Sequence, residues 1–279
     1  MNRIIPILAG YYWSDCGAFM GVLPYPLWHK KTFVDQRQRR KLNLNLLLIQ
    51  SGKRNILIDT GLGNRLTDKQ RDIYQPSEFL LPFSLAELGF KDIDITDVIM
   101  THLHFDHAGG IITDFGSNDA LTFPNAQYWI QKTEWDMAKN PDELNHSAYQ
   151  FEQQLALLEK RGNITLLEGN AEIEKGIMLS LVGGHTVGSQ TVAIDCGTNY
   201  YLYAGDIIPT LFHTSMAVTS AYDVNRMQTA AAKKMIYNQL QEHNGTLILC
   251  HDTEKWQIPY SELGHKKGLA GEVTIAESP

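Results

Sequence analysis

Short apolar runs alternate with polar, glycine-containing turns along most of the chain, and this spacing predicts many short strands with helices between them. Apolar runs of about four to nine residues that end at turn residues are typical of strands. Apolar residues at helical spacing, ending at glycine or a polar cap, predict helices. The predicted strands are 42–50, 54–59, 126–131, 164–167, 177–182, 190–195, 200–204 and 246–249. The predicted helices are 84–88, 132–139, 147–161 and 223–243.

The segment 11–33 departs from this pattern, because large aromatic side chains are mixed there with glycines and prolines. Proline and glycine disfavour a helix or a long regular strand, so we predict an extended aromatic loop. Two interpretations remain open. The loop packs on the surface of the core, or its apolar surface forms a pocket wall or a subunit contact.

Composition and charge exclude several classes of protein. The chain has 279 residues, for which we predict one domain over 1–279, and a formal charge of −7 argues against nucleic acid as a partner. Three widely spaced cysteines, Cys16, Cys196 and Cys250, predict buried thiols rather than a disulfide framework, and with them a reducing cytoplasm. The apolar run at the N-terminus is too short for a signal peptide, and no run approaches the ~20 residues of a membrane span.

The densest candidate chemistry lies in the turn after the apolar run Val98-Ile99-Met100. The stretch His102-Leu103-His104-Phe105-Asp106-His107 holds three histidines and an aspartate within six positions. Imidazole and carboxylate groups are good ligands for zinc-like metals. A helix would place His102 and Asp106 on one face without His104, whereas a loop can turn all four side chains toward one point.

Three later turns share this arrangement, in which an apolar strand ends at a histidine or an aspartate. They carry His185, Asp206 and His251. Together the four turns offer five histidines and two aspartates, which suits a pair of metals sharing a carboxylate better than a single zinc. Asp59, at the end of another apolar strand, is either a turn former or an acceptor that orients a metal-bound imidazole. Strands in runs with helices between them, and metal-type residues at strand ends, predict two sheets with outer helices.

The motif HxHxDH at 102–107, followed by Gly184-His185, Gly205-Asp206 and a late His251, resembles the signature of the metallo-β-lactamase superfamily. The resemblance implies an α+β fold, a four-layer αββα sandwich with a dinuclear site at one edge of the sheets. It also implies two divalent ions, zinc above all. The first ion would be held by His102, His104 and His185, and the second by Asp106, His107 and His251. Asp206 would bridge the two ions, and Asp59 would contact a ligand side chain rather than an ion.

Two stretches resemble a branch of that superfamily, the YtnP-like quorum-quenching lactonases. They are the segment 17–24 with Leu27-Trp28, and Gly205–Thr210 with His213 and Ala221-Tyr222-Asp223. One position departs from the pattern. Many acyl-homoserine lactonases carry a tyrosine three residues after the bridging aspartate, and here that residue is Pro209. Either another group, such as Tyr222 or His213, replaces it, or the substrate differs.

The resemblance therefore implies a dinuclear hydrolase that opens a lactone ring, with an N-acyl homoserine lactone as the expected substrate. Asp106 would pass a proton to the leaving alkoxide, and Phe105 with the aromatic segment would contact an apolar chain. The expected partner is a small molecule with an apolar chain, and a homodimer is the further assembly considered.

Other functions stay open. A metal-bound ligand sensor without turnover would bind a lactone and release no product. A phosphotriesterase or aryl esterase would share the metal site. A thioesterase resembling glyoxalase II would need a basic C-terminal patch, for which Lys266-Lys267 is the only candidate.

Overall fold

The protein is described by a computed structural model over residues 2–114, 119–161 and 163–263. His265 and Lys266-Lys267 lie outside this range. The strands are β1 Arg3–Asp15, β2 Arg39–Ser51, β3 Arg54–Ile58, β4 Asp97–Ile99, β5 Ile112–Asp114, β6 Asp119–Leu121, β7 Gln127–Gln131, β8 Ile164–Leu167, β9 Ala171–Glu174, β10 Ile177–Leu181, β11 Gln190–Asp195, β12 Tyr200–Tyr203, β13 Thr246–Ile248 and β14 Gln257–Pro259. The α-helices are α1 Cys16–Met20, α2 Tyr25–Trp28, α3 Asp68–Tyr74, α4 Leu81–Glu87, α5 Phe105–Ala108, α6 Lys132–Lys139, α7 Phe151–Gln154, α8 Ala156–Arg161 and α9 Arg226–Glu242.

Two six-stranded sheets form the centre of the fold. The first sheet has the order β1-β2-β3-β4-β7-β8, and the second has the order β14-β13-β12-β11-β10-β9. Strands β3, β4, β7 and β8 pair in parallel, as do β12 and β13. Because parallel strands end on the same side of a sheet, the turns that follow them lie along one edge.

Alternation along β2 shows why the sheets are covered on both sides. Leu46 and Leu48 pack with the helices outside the first sheet, whereas Leu47 and Ile49 pack between the two sheets. Successive strand residues point to opposite faces, so both faces of this strand are buried. Helix α9 covers the outer face of the second sheet with Ile236 among its core residues. The layers are helix, sheet, sheet, helix, which confirms the predicted αββα sandwich.

Most predicted elements are present with small differences at their ends. The ranges 132–139, 164–167 and 190–195 match α6, β8 and β11. The predicted helix 147–161 is instead two short helices, α7 and α8, since Leu155 has φ −121° and interrupts the helical backbone. Helix α3 was not predicted, because it has no buried residue and hence no apolar periodicity, although Thr67 and Gln70 form a capping box at its start.

The predicted loop at 11–33 is wrong in its backbone. Strand β1 extends to Asp15, and helices α1 and α2 follow. The Asp15 side chain accepts a hydrogen bond from the Ala18 amide at 2.7 Å and so caps α1. Pro26 lies in the first turn of α2, where a missing N–H is tolerated. Proline and glycine therefore limited the lengths of these helices without preventing them.

Within the described residues no helix is both long and apolar enough to cross a membrane. The three cysteines are free and buried, which confirms the predicted buried thiols. The assignment of 1–279 to one domain stays a prediction.

Candidate metal centre

The candidate metal ligands converge at the edge where the strands end. The turn 102–107 follows β4 and continues into α5, and Asp59 follows the neighbouring parallel strand β3. On the second sheet, His185 follows β10, while Asp206 and His251 follow the parallel pair β12 and β13. The structure therefore brings close together the side chains that the pattern of strand ends in the sequence had singled out.

The seven side chains form two adjacent groups, and within each group one possible ligand atom per residue lies within 4.8 Å of the others. The first donor group is His102, His104 and His185, and the second donor group is Asp106, His107, Asp206 and His251. We refer to both together as the donor cluster. The two sets of residues are those that the motif resemblance implied, except that Asp206, which the resemblance places between the ions, falls in the second donor group.

Asp206 lies between the two groups. Its Oδ1 atom is 3.2 Å from His107 Nε2 and 3.1 Å from His251 Nε2, while Oδ2 is 3.4 Å from His185 Nε2. One carboxylate thus directs an oxygen at each group, as a bridging ligand would. The Cys250 thiol also donates to Asp206 Oδ1 at 3.2 Å, a contact that the sequence did not indicate.

The ring orientations leave the Nε2 atoms facing inward. His107 Nδ1 donates to Asp59 at 2.9 Å, His185 Nδ1 to Asp223 at 2.8 Å, and His251 Nδ1 to the Asn43 carbonyl at 2.7 Å. Fixing one ring nitrogen as a donor sets the tautomer and presents the other as a lone pair. The roles of Asp223 and Asn43 were missed in the sequence, since neither lies in a turn with the metal-type pattern.

The donor atoms fit a cation. His102 Nε2 is buried and has no hydrogen-bond partner, an arrangement that costs about 1–3 kcal/mol unless a ligand uses the atom. The Nε2 atoms of His107 and His251 are 3.1 Å apart, so their lone pairs face each other when both rings are neutral. A shared positive ion removes that repulsion, and the imidazole and carboxylate donors suit a divalent metal.

The two groups differ in electrostatics. Burial, with the neighbouring imidazoles, lowers the pKa values of His102 and His104 well below the usual range. Burial opposes charge on His107 and His251 as well, but the carboxylates of Asp206 and Asp106 raise the pKa values of both rings. Burial opposes charge on His185 of the first donor group too, but the Asp206 and Asp223 carboxylates raise its pKa. Within the donor cluster, lowered imidazole pKa values are thus confined to His102 and His104, and the second donor group differs by containing the further carboxylate of Asp106.

Glu134 on α6 joins the turn 102–107 to the turn that carries His185. The sequence did not indicate this role. The buried carboxylate of Glu134 accepts hydrogen bonds from Leu103 N at 2.9 Å, Thr186 Oγ1 at 2.6 Å, Gly188 N at 3.1 Å and Tyr149 Oη at 2.9 Å. A Cβ at Gly188 would lie 2.4 Å from Glu134 Cβ, so the close approach requires glycine. In the sequence, the large apolar side chain of the next residue, Trp135, was the only indication that Glu134 is buried.

The remaining predicted residues differ in how exposed they are and in the groups they contact. Phe105 is half-buried next to Asp106, with its ring 4.8 Å from Tyr74. Tyr222 is 43% exposed, and its hydroxyl is 3.4 Å from Ser14 Oγ. Both ring nitrogens of His213 are used inside the fold, Nδ1 by the Thr210 hydroxyl and Nε2 by the Phe19 carbonyl. Pro209 contributes its carbonyl, which accepts from His251 N at 3.0 Å.

A family model described as the metallo-beta-lactamase superfamily matches residues 40–273. A probable metallo-hydrolase of Mycobacterium tuberculosis is 25% identical over 228 residues, which cover 74% of this chain and 69% of that protein. An N-acyl homoserine lactonase of Bacillus thuringiensis is 33% identical over 111 residues, covering 40% of this chain and 37% of the lactonase.

Solved structures share the fold over nearly the whole chain. A probable metal-dependent hydrolase from Staphylococcus aureus superimposes with a TM-score of 0.86 at 29% identity, covering 93% of this chain and 92% of that one. AidC, described as a dizinc quorum-quenching lactonase, superimposes with a TM-score of 0.73 at 21% identity, covering 92% and 89%. At that identity the second comparison shows the fold alone.

Proposed function

The chain belongs to the metallo-beta-lactamase superfamily and is a metal-dependent hydrolase, and from that premise we propose that it opens the ring of an N-acyl homoserine lactone. The observation that carries the dinuclear part of this proposal is the Asp206 carboxylate, whose two oxygens face separate groups of imidazoles. The lactone is supported by the partial similarity to an N-acyl homoserine lactonase.

Each of the seven donors has a proposed place. His102, His104 and His185 would hold one zinc ion, Asp106, His107 and His251 would hold the other, and Asp206 would serve both. When bound, the ions supply Lewis-acid polarisation of the substrate carbonyl and lower the pKa of water. Asp59 and Asp223 fix the rings of His107 and His185, so that Nε2 of each stays directed at the cluster.

The side chains of the protein supply proton transfer. Opening a lactone breaks the bond between the acyl carbon and the ring oxygen, and the departing alkoxide needs a proton. We assign this transfer to Asp106, which stands at the start of α5 within the second donor group. As the oxygen of the attacking water bonds to the acyl carbon, the ionised carboxylate accepts the proton of that water and passes it to the leaving ring oxygen.

An apolar face beside the second donor group is the proposed contact for the acyl chain. The rings of Tyr12, Tyr74 and Phe105 pack against one another, with centroids 4.8 to 6.4 Å apart. The Phe19 ring adds to this face, with its centroid 6.5 Å from that of His251. Burial of a chain methylene against such rings contributes about 0.8 kcal/mol, which favours acylated lactones over the bare ring.

The test combines metal analysis with turnover of N-acyl homoserine lactones of several chain lengths, an aryl ester, a phosphotriester and a glutathione thioester. We expect two ions per chain and the highest kcat/KM for the lactones. His102→Ala should lose an ion and most of the turnover, whereas the exposed His146→Ala, the matched control, should keep both. Fast cleavage of the triester or thioester without lactone opening would overturn the proposed substrate. Binding of a lactone without product would identify a sensor instead.

The cytoplasmic location and the homodimer stay predictions.

A further inference from the structure

A bulge in β1 changes which side chains of that strand face inward. Strand β1 pairs with β2 in antiparallel register, but between the pairs Leu8–Asn45 and Tyr11–Asn43 two residues of β1 stand opposite one residue of β2. Before the bulge Ile7 and Ala9 are buried, and after it the buried positions are Tyr12 and Ser14. The extra residue shifts the alternation by one, so that Tyr12 rather than Tyr11 points into the molecule.

The bulge is fixed by contacts with the segment that follows α3. Gly10 has φ +135°, and a Cβ there would lie 2.5 Å from Ser77 Oγ. The same Ser77 hydroxyl accepts a hydrogen bond from Tyr11 N at 3.0 Å, and Leu80 N donates to the Ala9 carbonyl at 3.1 Å. Bulges that redirect a side chain are common next to active sites, and this one directs Tyr12.

The Tyr12 hydroxyl reaches the second donor group. It donates to Asp106 Oδ2 at 2.6 Å, and that oxygen is 3.4 Å from His251 Nε2 and 3.7 Å from His107 Nε2. A length of 2.6 Å is typical of a hydroxyl that donates to an ionised carboxylate. The Tyr12 ring is held edge-on against His251, with 5.9 Å between centroids, and is 5% exposed.

We propose that Tyr12 is a positioning residue for Asp106, which holds the carboxylate in the rotamer that directs Oδ2 at the second donor group. This inference rests on the proposed dinuclear site. The hydroxyl donates to Asp106, which belongs to the second donor group, and this hydrogen bond involves no residue of the first donor group. Removing the hydroxyl should therefore lower the affinity for one ion and leave the affinity for the other unchanged, whereas a general loosening of the fold would lower both affinities.

The experiment uses the zinc-loaded enzyme and the variant Tyr12→Phe, which keeps the ring and removes only the hydroxyl. Zinc release is followed by competition with a chromophoric chelator. Loss of a group that orients a metal ligand typically costs 10–100-fold in metal affinity. We expect one of two release steps to shift by about tenfold or more and the other to remain at its wild-type position.

Tyr11→Phe is the matched control, because Tyr11 is the neighbouring phenol on the opposite face of the same strand. It should leave both release steps unchanged. Asp106→Asn alone and combined with Tyr12→Phe completes a cycle, in which the hydroxyl should have little further effect once the carboxylate is gone.

Two results would overturn the inference. The first is that Tyr12→Phe releases both ions at the same chelator concentrations as the wild type. The second is that the affinity for both ions falls equally and the thermal midpoint of the metal-free protein falls as well. A wild-type enzyme that binds fewer than two ions would instead refute the proposed dinuclear site. The two failures are thus distinguishable.

Discussion

Two buried polar regions of this protein each contain histidine, but of these two regions only the donor cluster has an imidazole nitrogen without a partner. In the donor cluster, His102 Nε2 has no hydrogen-bond partner. In the second region, here called the Lys233 cluster, His213 Nε2 donates to the Phe19 carbonyl at 3.0 Å and its Nδ1 accepts from Thr210 at 2.8 Å. Lys233 Nζ donates to the carbonyls of His213, Ser215 and Val218.

The difference shows that burial and a shifted pKa do not by themselves identify a functional site. Burial lowers the pKa of His213 to about 3, with Lys233 adding to the effect, and burial lowers the pKa of Lys233 to about 8. Such shifts are common at active sites, yet here Lys233 joins the segment after Asp206 to α9, and the His213 ring joins the same segment to α1. Imidazole nitrogens without partners, rather than shifted pKa values, distinguish the donor cluster from the Lys233 cluster.

The largest expected effect comes from breaking the donor cluster at its centre. Asp206→Asn removes the charge that faces both groups, so we expect kcat/KM to fall by about 10²–10³-fold and the metal content to drop. Asp97→Asn is the control, since Asp97 is also a buried carboxylate but pairs with Arg54 in the first sheet. That variant should lose stability and keep its metal. Full activity in Asp206→Asn would contradict the assignment of the donor cluster.

The substitution Lys233→Met tests the Lys233 cluster. The substitution removes a fully buried ammonium group and leaves three carbonyls without their donor. We expect the free energy of unfolding to fall by about 3 kcal/mol while metal affinity stays at the wild-type value. Urea unfolding of the metal-free protein measures the first quantity. Lys234→Met, at the exposed neighbouring position, should change neither, and loss of metal from Lys233→Met would remove the contrast between the regions.

The smallest expected effect is a pH dependence of stability from His213. Its pKa is about 3 in the folded protein and about 6.5 in an unfolded chain. Below pH 6.5 the unfolded chain binds a proton that the folded chain refuses, so stability is lost as the pH falls from 6.5 toward 3. Lys233 and Arg40 disfavour the charged ring, while Asp223 favours it.

This group should make the free energy of unfolding about 2 kcal/mol lower at pH 5 than at pH 7. Urea unfolding of the metal-free wild type and of His213→Gln gives the measurement. Acid-sensitive groups of the donor cluster are present in both proteins, so their contribution cancels in the difference. Parallel pH dependences in the two proteins would show that His213 does not titrate in this way.

The sequence predicted the turns of the donor cluster because each combines an apolar strand with residues of unmistakable chemistry. It did not predict the roles of Glu134 and Asp223, whose partners are brought to them only by tertiary packing. It assigned 11–33 to a loop, because the capped helices α1 and α2 are too short to show periodicity. It also could not show that Tyr12 faces inward, since an added residue at the bulge reverses the expected alternation.

The donors are drawn from both sheets of the sandwich, four from the turn after β4 and three from turns of the second sheet. An ion held by residues of both sheets is a cross-link between layers that otherwise adhere through apolar packing. Because the unfolded chain lacks this arrangement, each ion of the proposed site would add about 2.7 kcal/mol of stability when its free concentration is 100 times its dissociation constant. Chelation would then lower the free energy of unfolding of the whole molecule, and the supply of metal would set how much of the protein is folded as well as its chemistry.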